Sequence, residues 1–191
     1  MKKLIIILLL LTSSYFSFGQ SSSQASLDNE LTFQIIGEDS LSKLEDVSSQ
    51  VIVFIAYNNK CPFAKRYAER INKSSSAFDK KVQFYAFEVP MLGSVLKQDS
   101  TTFTPLSNQI SRLSSNSQIL SKLIPERTPE VIVYSRYNGS YKIIYEGAID
   151  DDAHRLNDVK KHYLNFAIRQ GLAKNLDFAK VESEGCRVSK K

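Results

Sequence analysis

One short stretch constrains the fold of this chain more than any other: an apolar run that passes, through a cysteine and a proline, into an amphipathic segment. Residues 51–57 read VIVFIAY, and such a β-branched and aromatic run is typical of a strand buried on both faces of an α/β sheet. Cys61 and Pro62 follow, and from Phe63 onward apolar residues recur at helical spacing. Proline suits the first turn of a helix because its missing amide would have no partner there. The sequence therefore predicts a buried strand that leads into a helix, with Cys61 at the junction.

The rest of the chain supplies further elements. Residues 82–89, VQFYAFEV, predict a second buried strand, and the strand-helix-strand order predicts a parallel pair. Asn138-Gly139 between two apolar runs predicts a hairpin, because both residues tolerate positive φ. The other predicted elements are a short helix or irregular stretch at 41–49, short helices at 105–113 and 117–123, strands at 130–135 and 141–149, and a helix at 156–172 ending near Gly171.

The first residues have the features of a secretory signal peptide. Two lysines precede an apolar run at 4–11, and small residues end at Gly19. The run is shorter than the roughly 18 residues that a permanent membrane helix needs. We expect removal of residues 1–19, a flexible lead at 20–28, and one domain at 29–191 with a polar tail from about residue 182. We therefore expect an exported protein, periplasmic or secreted, without a membrane segment after cleavage.

Composition excludes several classes of function. The net charge is +5, and no run of Lys and Arg is interleaved with aromatic residues, so we expect no nucleic-acid partner. His154 and His162 lie eight residues apart without a third ligand nearby in sequence, so we expect no metal site. The acidic run at 150–152 is more typical of a solvated loop or a helix cap than of a catalytic cluster.

The chain has two cysteines, and an oxidising compartment lets two thiols pair and persist. From the residues alone, Cys61 is a nucleophile, half of a bridge or a small buried hydrophobe. The amino end of a helix favours negative charge, and the flanking cations Lys60, Lys65 and Arg66 would lower the pKa of the thiol further.

Four segments, in this order, resemble the thioredoxin-like redoxins, the superfamily of peroxiredoxins and thiol-disulfide oxidoreductases. They read VIVFIAYNNKCPFAKRY, RTPEVIVY, YEGAID and EGCRV, and the resemblance covers about residues 30–188. The resemblance implies an α/β, thioredoxin-like fold of three layers, with a central mixed sheet flanked by helices. It places Cys61 at the reactive position and Thr128-Pro129, with a cis bond, in the loop facing it. The backbone before that proline would pair with an extended substrate.

The chain departs from the family pattern at two places. Ala64 stands where thioredoxins carry their second cysteine, so no local disulfide forms. Phe54 and Asn58 stand where peroxiredoxins carry a proline and a threonine, although Asn58 could donate a hydrogen bond to a peroxide in place of the threonine. The candidate substrate-binding residues are Asn58, Pro62, Arg127, Thr128 and Pro129, with Arg127 adding a cation from the facing loop.

Two hypotheses about function follow. In the first, the tail folds back so that Cys186 resolves an oxidised Cys61, after Cys61 has attacked a disulfide or a peroxide. The partners would be a thiol or disulfide protein, or a peroxide in an antioxidant role through a sulfenic acid, and an exported thioredoxin-like reductant would reset the pair without a cofactor. In the second, a permanent Cys61–Cys186 bridge locks a non-catalytic module that binds a peptide or partner protein along the proline loop. Such a large loop would stabilise the fold by about 5 kcal/mol.

Overall fold

The computed structural model describes residues 26–78, 81–92, 106–155 and 158–189, so the predicted signal peptide lies outside the described residues. The helices are α1 (Pro62–Ala77) and α2 (Tyr163–Leu172), with 3-10 turns at Leu44–Asp46 and Gln118–Lys122. The strands are β1 (Ser26–Leu27), β2 (Thr32–Gln34), β3 (Leu41–Lys43), β4 (Val51–Tyr57), β5 (Val82–Glu88), β6 (Ile110–Arg112), β7 (Arg127–Thr128), β8 (Glu130–Tyr137), β9 (Ser140–Gly147), β10 (Ala179–Val181) and β11 (Cys186–Arg187).

A mixed sheet forms the centre of the molecule. Its strands run in the order β1-β9-β8-β4-β5-β6, and β10 also pairs with β9. Strand β4 is parallel to β5 and antiparallel to β8, and all seven of its residues are buried. The predicted strand-helix-strand unit around Cys61 is therefore confirmed, and its carboxyl-terminal edge carries the cysteine.

Both α-helices pack on one face of this sheet. Val53 and Ile55 of β4 share a buried cluster with Tyr67 and Ile71 of α1 and with Ile168 of α2. The apolar spacing that predicted α1 is the spacing of the residues that face the sheet.

The other face is covered by shorter elements. Ile52 and Phe54 of β4 pack there with Phe33 of β2 and with Leu44 and Ile119 of the two 3-10 turns. The α/β class, with a mixed central sheet and flanking helices, is thus confirmed. In the described part of the chain, the second covering layer consists of the β2–β3 hairpin and the 3-10 turns.

The helix predicted at 105–113 is wrong for the residues that the structure describes. Residues 110–112 instead form β6, parallel to β5. Leu106, Ile110 and Leu113 have helical spacing in the sequence, but Ile110 and Leu113 belong to the clusters on opposite faces of the sheet. Pairing with the open edge of β5 overrides the local pattern.

The final helix begins later than predicted, at Tyr163 rather than residue 156. The carboxylate of Asp151 accepts hydrogen bonds from the amides of Lys160 and Lys161, at 2.9 and 3.0 Å. These bonds hold the segment before Tyr163 in a non-helical conformation. The predicted helix or irregular stretch at 41–49 is β3 followed by a 3-10 turn.

The predicted hairpin is confirmed. Asn138 has a φ of 50° and Gly139 a φ of 83°, and β8 and β9 pair on either side of them. At the start of the domain, Ser26 and Leu27 pair with β9, so the folded part includes the last residues of the segment that the sequence assigned to a flexible lead.

The carboxyl-terminal segment returns to the edge of the sheet that carries Cys61. After α2 the chain forms β10, parallel to β9, and then β11, antiparallel to β7. In the part of the chain that the structure describes, no helix is both long enough and apolar enough to span a bilayer.

Candidate functional site

Cys61 is the N-cap residue of α1, as the sequence predicted. Its φ and ψ of −78° and 121° are extended, and Pro62 follows as the first helical residue. The amide of Cys61 donates to the carbonyl of Asn58 at 3.0 Å, which closes a tight turn between β4 and α1. The residue is fully buried.

Cys61 and Cys186 form a disulfide, with their Cα atoms 6.0 Å apart. Cys186 lies in β11 and is partly exposed, whereas Cys61 is not. The two sulfurs are 125 residues apart in sequence, so the carboxyl-terminal tail does fold back onto the amino end of α1.

The Thr128-Pro129 loop faces this bridge. The peptide bond between the two residues is cis, and Thr128 is fully buried. The carbonyl oxygen of Thr128 lies 3.0 Å from Sγ of Cys61, and its hydroxyl donates to the carbonyl of Ala56 at 3.4 Å. The expected juxtaposition of Cys61 with a cis-proline loop is therefore present.

The tail pairs with the backbone of that loop. Strand β11 runs antiparallel to β7, with Cys186 opposite Thr128. The amide of Val188 continues the ladder by donating to the carbonyl of Glu126 at 3.0 Å. The edge beside the cis-proline is thus occupied by residues of the same chain.

The opposite edge of the tail is paired as well. The amide of Leu92 donates to the carbonyl of Arg187 at 2.9 Å, and the amide of Ser189 donates to the carbonyl of Pro90 at 2.8 Å. We call residues 186–189 the tail strand, and the gap between residues 90–92 and 126–128 that contains it the strand slot.

Arg127 contacts the tail rather than the sulfur. Its Nη1 donates to the carbonyl of Gly185 at 3.3 Å, and its Nη2 lies 3.4 Å from the carboxylate of Glu182. Arg127 therefore holds the segment that leads into the tail strand. Its expected role as a cation near Cys61 stays a prediction.

Asn58 is fully buried beneath the turn that presents Cys61. Its Nδ2 donates to the carbonyl of Val89 at 2.8 Å, and its Oδ1 accepts the amide of Lys60 at 2.9 Å. Both ends of the side-chain amide bond the backbone, so the geometry explains Asn58 as a residue that shapes the turn. Pro62 is exposed.

Sequence reasoning missed Glu130, which directly follows the cis-proline. It is only 3% exposed, and its carboxylate accepts the amides of Glu126 and Arg127, both at 3.2 Å. Burial raises the pKa of Glu130, and those two amides offset part of the effect. A charged residue that opens the otherwise apolar run EVIVY was the available signal, because such a residue needs buried partners.

A buried ion pair, also missed, ties α1 to the loop after β9. Nη1 of Arg70 lies 2.7 Å from the carboxylate of Asp150, and both side chains are nearly inaccessible. The hydroxyl of Tyr67 donates to the same carboxylate at 3.1 Å. Burial, and next the charge of Asp150, raise the pKa of Tyr67. In the acidic run, Asp151 is exposed and accepts backbone amides as expected, whereas Asp152 accepts amides but is only partly exposed. Asp150 is buried.

His154 lies beside the tail. Its Nε2 is 3.2 Å from the carboxylate of Glu184, and its Nδ1 is 3.3 Å from the guanidinium of Arg66. Within the described ranges, no three side chains of the metal-binding types cluster in a way that could hold an ion.

Two opposing influences act on the sulfur of Cys61 once the bridge opens. The amino end of α1 favours a thiolate. The carbonyl of Thr128, 3.0 Å away, can accept a hydrogen bond only from the neutral thiol and so favours the protonated form. Lys60, Lys65 and Arg66 are exposed, which weakens their influence through solvent screening.

Comparison with known proteins supports the architecture. No family model matches the sequence, and no curated protein matches it significantly. An uncharacterized conserved protein from Geobacillus kaustophilus superposes with a TM-score of 0.61 at 20% identity, covering 87% of this chain and 95% of the other. A hypothetical protein from Sinorhizobium meliloti 1021 gives 0.57 at 19% identity, covering 88% and 98%. A thioredoxin-like protein from Aeropyrum pernix gives 0.47 at 11% identity, covering 74% and 89%.

These likenesses concern fold alone. The parallel β4-α1-β5 unit, the antiparallel β8–β9 hairpin and the following α2 form the framework. Within it, a cysteine at the first helix faces a cis-proline loop. With these elements in this order, the chain has a thioredoxin-like fold.

Proposed function

We propose that the protein is an exported thiol-disulfide oxidoreductase whose redox pair is Cys61 and Cys186. One observation carries the proposal: the bridge joins the amino end of α1 to a strand paired with the cis-proline loop. That position combines a helix end that favours a thiolate with a backbone edge that can align an extended segment.

The reaction proceeds in two exchanges. In the reduced protein, the Cys61 thiolate attacks one sulfur of a client disulfide, and the other client sulfur leaves as a thiolate. The Cys186 thiolate then attacks Sγ of Cys61, releasing the second client thiol and closing the bridge. The client gains two electrons and the protein loses two; protons come from solvent.

The two sulfurs differ in exposure, which orders the return step. Cys61 is fully buried in the bridged protein, and Cys186 is partly exposed. An outside dithiol therefore attacks Cys186, and the electron pair of the broken bond passes to Cys61, which leaves as a thiolate. A second thiol of the same donor completes the reduction. An exported thioredoxin-like reductant has the required chemistry.

A disulfide is a better candidate substrate than a peroxide. Both polar atoms of the Asn58 amide bond the backbone, which argues against the donation to a peroxide proposed for this residue. Phe54, which stands where peroxiredoxins carry a proline, packs in the buried cluster on the sheet face away from α1. The strand slot pairs with an extended backbone along both edges, which suits a protein client better than a small peroxide.

A locked binding module is the second candidate. A buried sulfur and a bridge closing a large loop are also features of a structural disulfide. However, the tail strand already occupies the backbone edge that such a module would offer to a peptide. A permanent bridge would keep that edge closed, which favours the redox pair over a module that binds along the proline loop.

An exchange assay tests the proposal. Reduced protein should reduce insulin, or a self-quenched disulfide substrate that becomes fluorescent on reduction, when an outside dithiol is supplied. Cys61→Ser should abolish the reaction. Cys186→Ser should accumulate a mixed disulfide on Cys61, visible by mass spectrometry, because the resolving thiol is missing. Lack of exchange in the parent protein, with peroxide also unconsumed, would contradict the proposal and support the locked module.

A further inference from the structure

We propose that the tail strand shows which client segments the strand slot accepts: an extended stretch with glycine directly before its reactive cysteine and an apolar residue two positions after it. The proposal rests on the proposed function, since it names the client segment of that same site. The pattern in this chain is Gly185-Cys186-Arg187-Val188.

The slot is built for one extended strand. It pairs with the tail strand along both edges, through the carbonyl of Glu126 on one side and the amide of Leu92 and carbonyl of Pro90 on the other. When the bridge opens and the tail leaves, these backbone groups lose their partners. Another extended segment can restore all of them, whereas a small thiol cannot.

Glycine at the position before the cysteine is required by crowding. A Cβ placed on Gly185 would meet the carbonyl oxygen and carbon of Thr128, the latter at 2.9 Å. Thr128 is fully buried beside the cis-proline, so its backbone is not free to move aside. A client with any side chain at this position would therefore lie farther from Cys61.

The next two positions differ in their demands. Arg187 is exposed, so the slot places no requirement on the residue after the cysteine. Val188 is partly buried against the hydrophobic cluster on the sheet face away from α1 and bridges to Met91. An apolar client residue at this place strengthens binding to the slot. A charged residue loses the apolar contact and is also desolvated, which weakens binding.

The tail and the client then compete for one slot. The client cysteine occupies the place of Cys186 during the first exchange, and the tail re-enters as Cys186 attacks Cys61. Re-entry restores the hydrogen bonds on both edges and expels the client, so release is coupled to closure of the bridge.

The test uses the reduced full-length Cys186→Ser chain, in which Cys61 is the remaining thiol. It is mixed with a synthetic peptide of residues 182–189 whose cysteine carries 2-nitro-5-thiobenzoate, and release of that chromophore gives the rate. Attack by Cys61 on the peptide sulfur breaks the old S–S bond and forms a Cys61–peptide disulfide. Matched peptides carry Ala for Gly185 or Asp for Val188, and glutathione in place of the protein corrects for intrinsic reactivity.

The native-pattern peptide should react at least about tenfold faster than either altered peptide, because each alteration raises the free energy of the aligned encounter by about 1.4 kcal/mol or more. Corrected rates within twofold of one another would overturn the proposal.

A second measurement uses the bridged parent chain and does not depend on folding of Cys186→Ser. Gly185→Ala should make the Cys61–Cys186 bridge at least about tenfold easier to reduce in a glutathione equilibrium, since the tail then fits the slot poorly. Ser183→Ala, two residues earlier, should change the equilibrium little. An unchanged equilibrium for Gly185→Ala would also overturn the proposal.

The outcomes separate the two claims. Exchange activity with no preference among the peptides would contradict the proposed client pattern and would still support the proposed oxidoreductase. A strong peptide preference in a chain that never cycles would support the segment preference of the strand slot and contradict the proposed oxidoreductase.

Discussion

At the scale of single residues, Glu130 makes the stability of the cis-proline loop depend on pH. Burial raises its pKa above the unfolded value, which is about 4.3. The folded protein therefore binds this proton more tightly than the unfolded chain does. The contribution of Glu130 to stability is fully present below the unfolded pKa and is lost as pH rises through the folded pKa.

Glu130→Gln removes this dependence, because glutamine stays neutral. As the pH rises from 4 to 7, the stability of the variant relative to the parent should increase. The measurement is the difference in free energy of unfolding in urea at each pH, with the bridge intact. Glu69→Gln is the control: its exposed carboxylate has a pKa lowered by its hydrogen bond to Lys73, so the trend should be absent or opposite. A difference for Glu130→Gln that falls over this range would show that the two amides outweigh burial.

At the scale of secondary-structure elements, Gly147 of β9 lies directly opposite Val181 of β10. Its φ is 132°, and a Cβ there would collide with the backbone of Val181. Gly139 in the hairpin turn also has a positive φ, but open space surrounds it. A left-handed conformation costs an L-residue about 1 to 2 kcal/mol.

Gly139→Ala should lower the free energy of unfolding by that amount. Gly147→Ala should lower it by more and expose the β10 amides to hydrogen exchange. Equal losses with β10 still protected would contradict this account of the contact.

The buried ion pair between Arg70 and Asp150 connects α1 to the loop after β9. Asp150→Ala leaves Arg70 buried without its charge partner, which should lower the free energy of unfolding by about 3 to 5 kcal/mol. Glu69→Ala breaks an exposed pair with Lys73 on the same helix and should lower it by no more than about 0.5 kcal/mol. Urea unfolding of both variants makes the comparison; a similar small loss in both would mean that Arg70 finds another partner.

What the sequence could predict about these elements depended on whether the signal was local. Residues 51–57 and the segment after Cys61 carry their burial pattern within a few residues, so β4, α1 and their junction were predictable. Strand β6 was not, because Ile110 and Leu113 serve opposite faces of the sheet through a pairing that only the fold reveals.

The same limit applies to the site. The positions of Cys61 and the cis-proline followed from the family resemblance. The strand slot joins residues near 91, 127 and 187, which no short pattern connects. The two cysteines and the EGCRV segment of the resemblance indicated that the tail could return to Cys61, but not which backbone it would pair with.

At the scale of the whole molecule, the bridge has two roles that can be measured together. It closes a loop between residues 125 apart in sequence, and the chain-entropy argument gives about 5 kcal/mol of stabilisation for such a closure. The bridged protein should therefore unfold at a clearly higher urea concentration than the reduced protein. A reduced protein of equal stability would mean that the slot holds the tail without the bond.

The reduction potential of the Cys61–Cys186 bridge is the most direct test of the claim that the pair cycles. The full-length protein is equilibrated in glutathione redox buffers, and the bridged fraction is read by mass spectrometry after alkylation. Known cycling pairs have potentials of about −120 to −270 mV, whereas structural bridges typically have potentials below about −300 mV. For a cycling Cys61–Cys186 pair we expect a midpoint within the first range. A midpoint below the second value would contradict it and make the bridge a permanent lock on the fold.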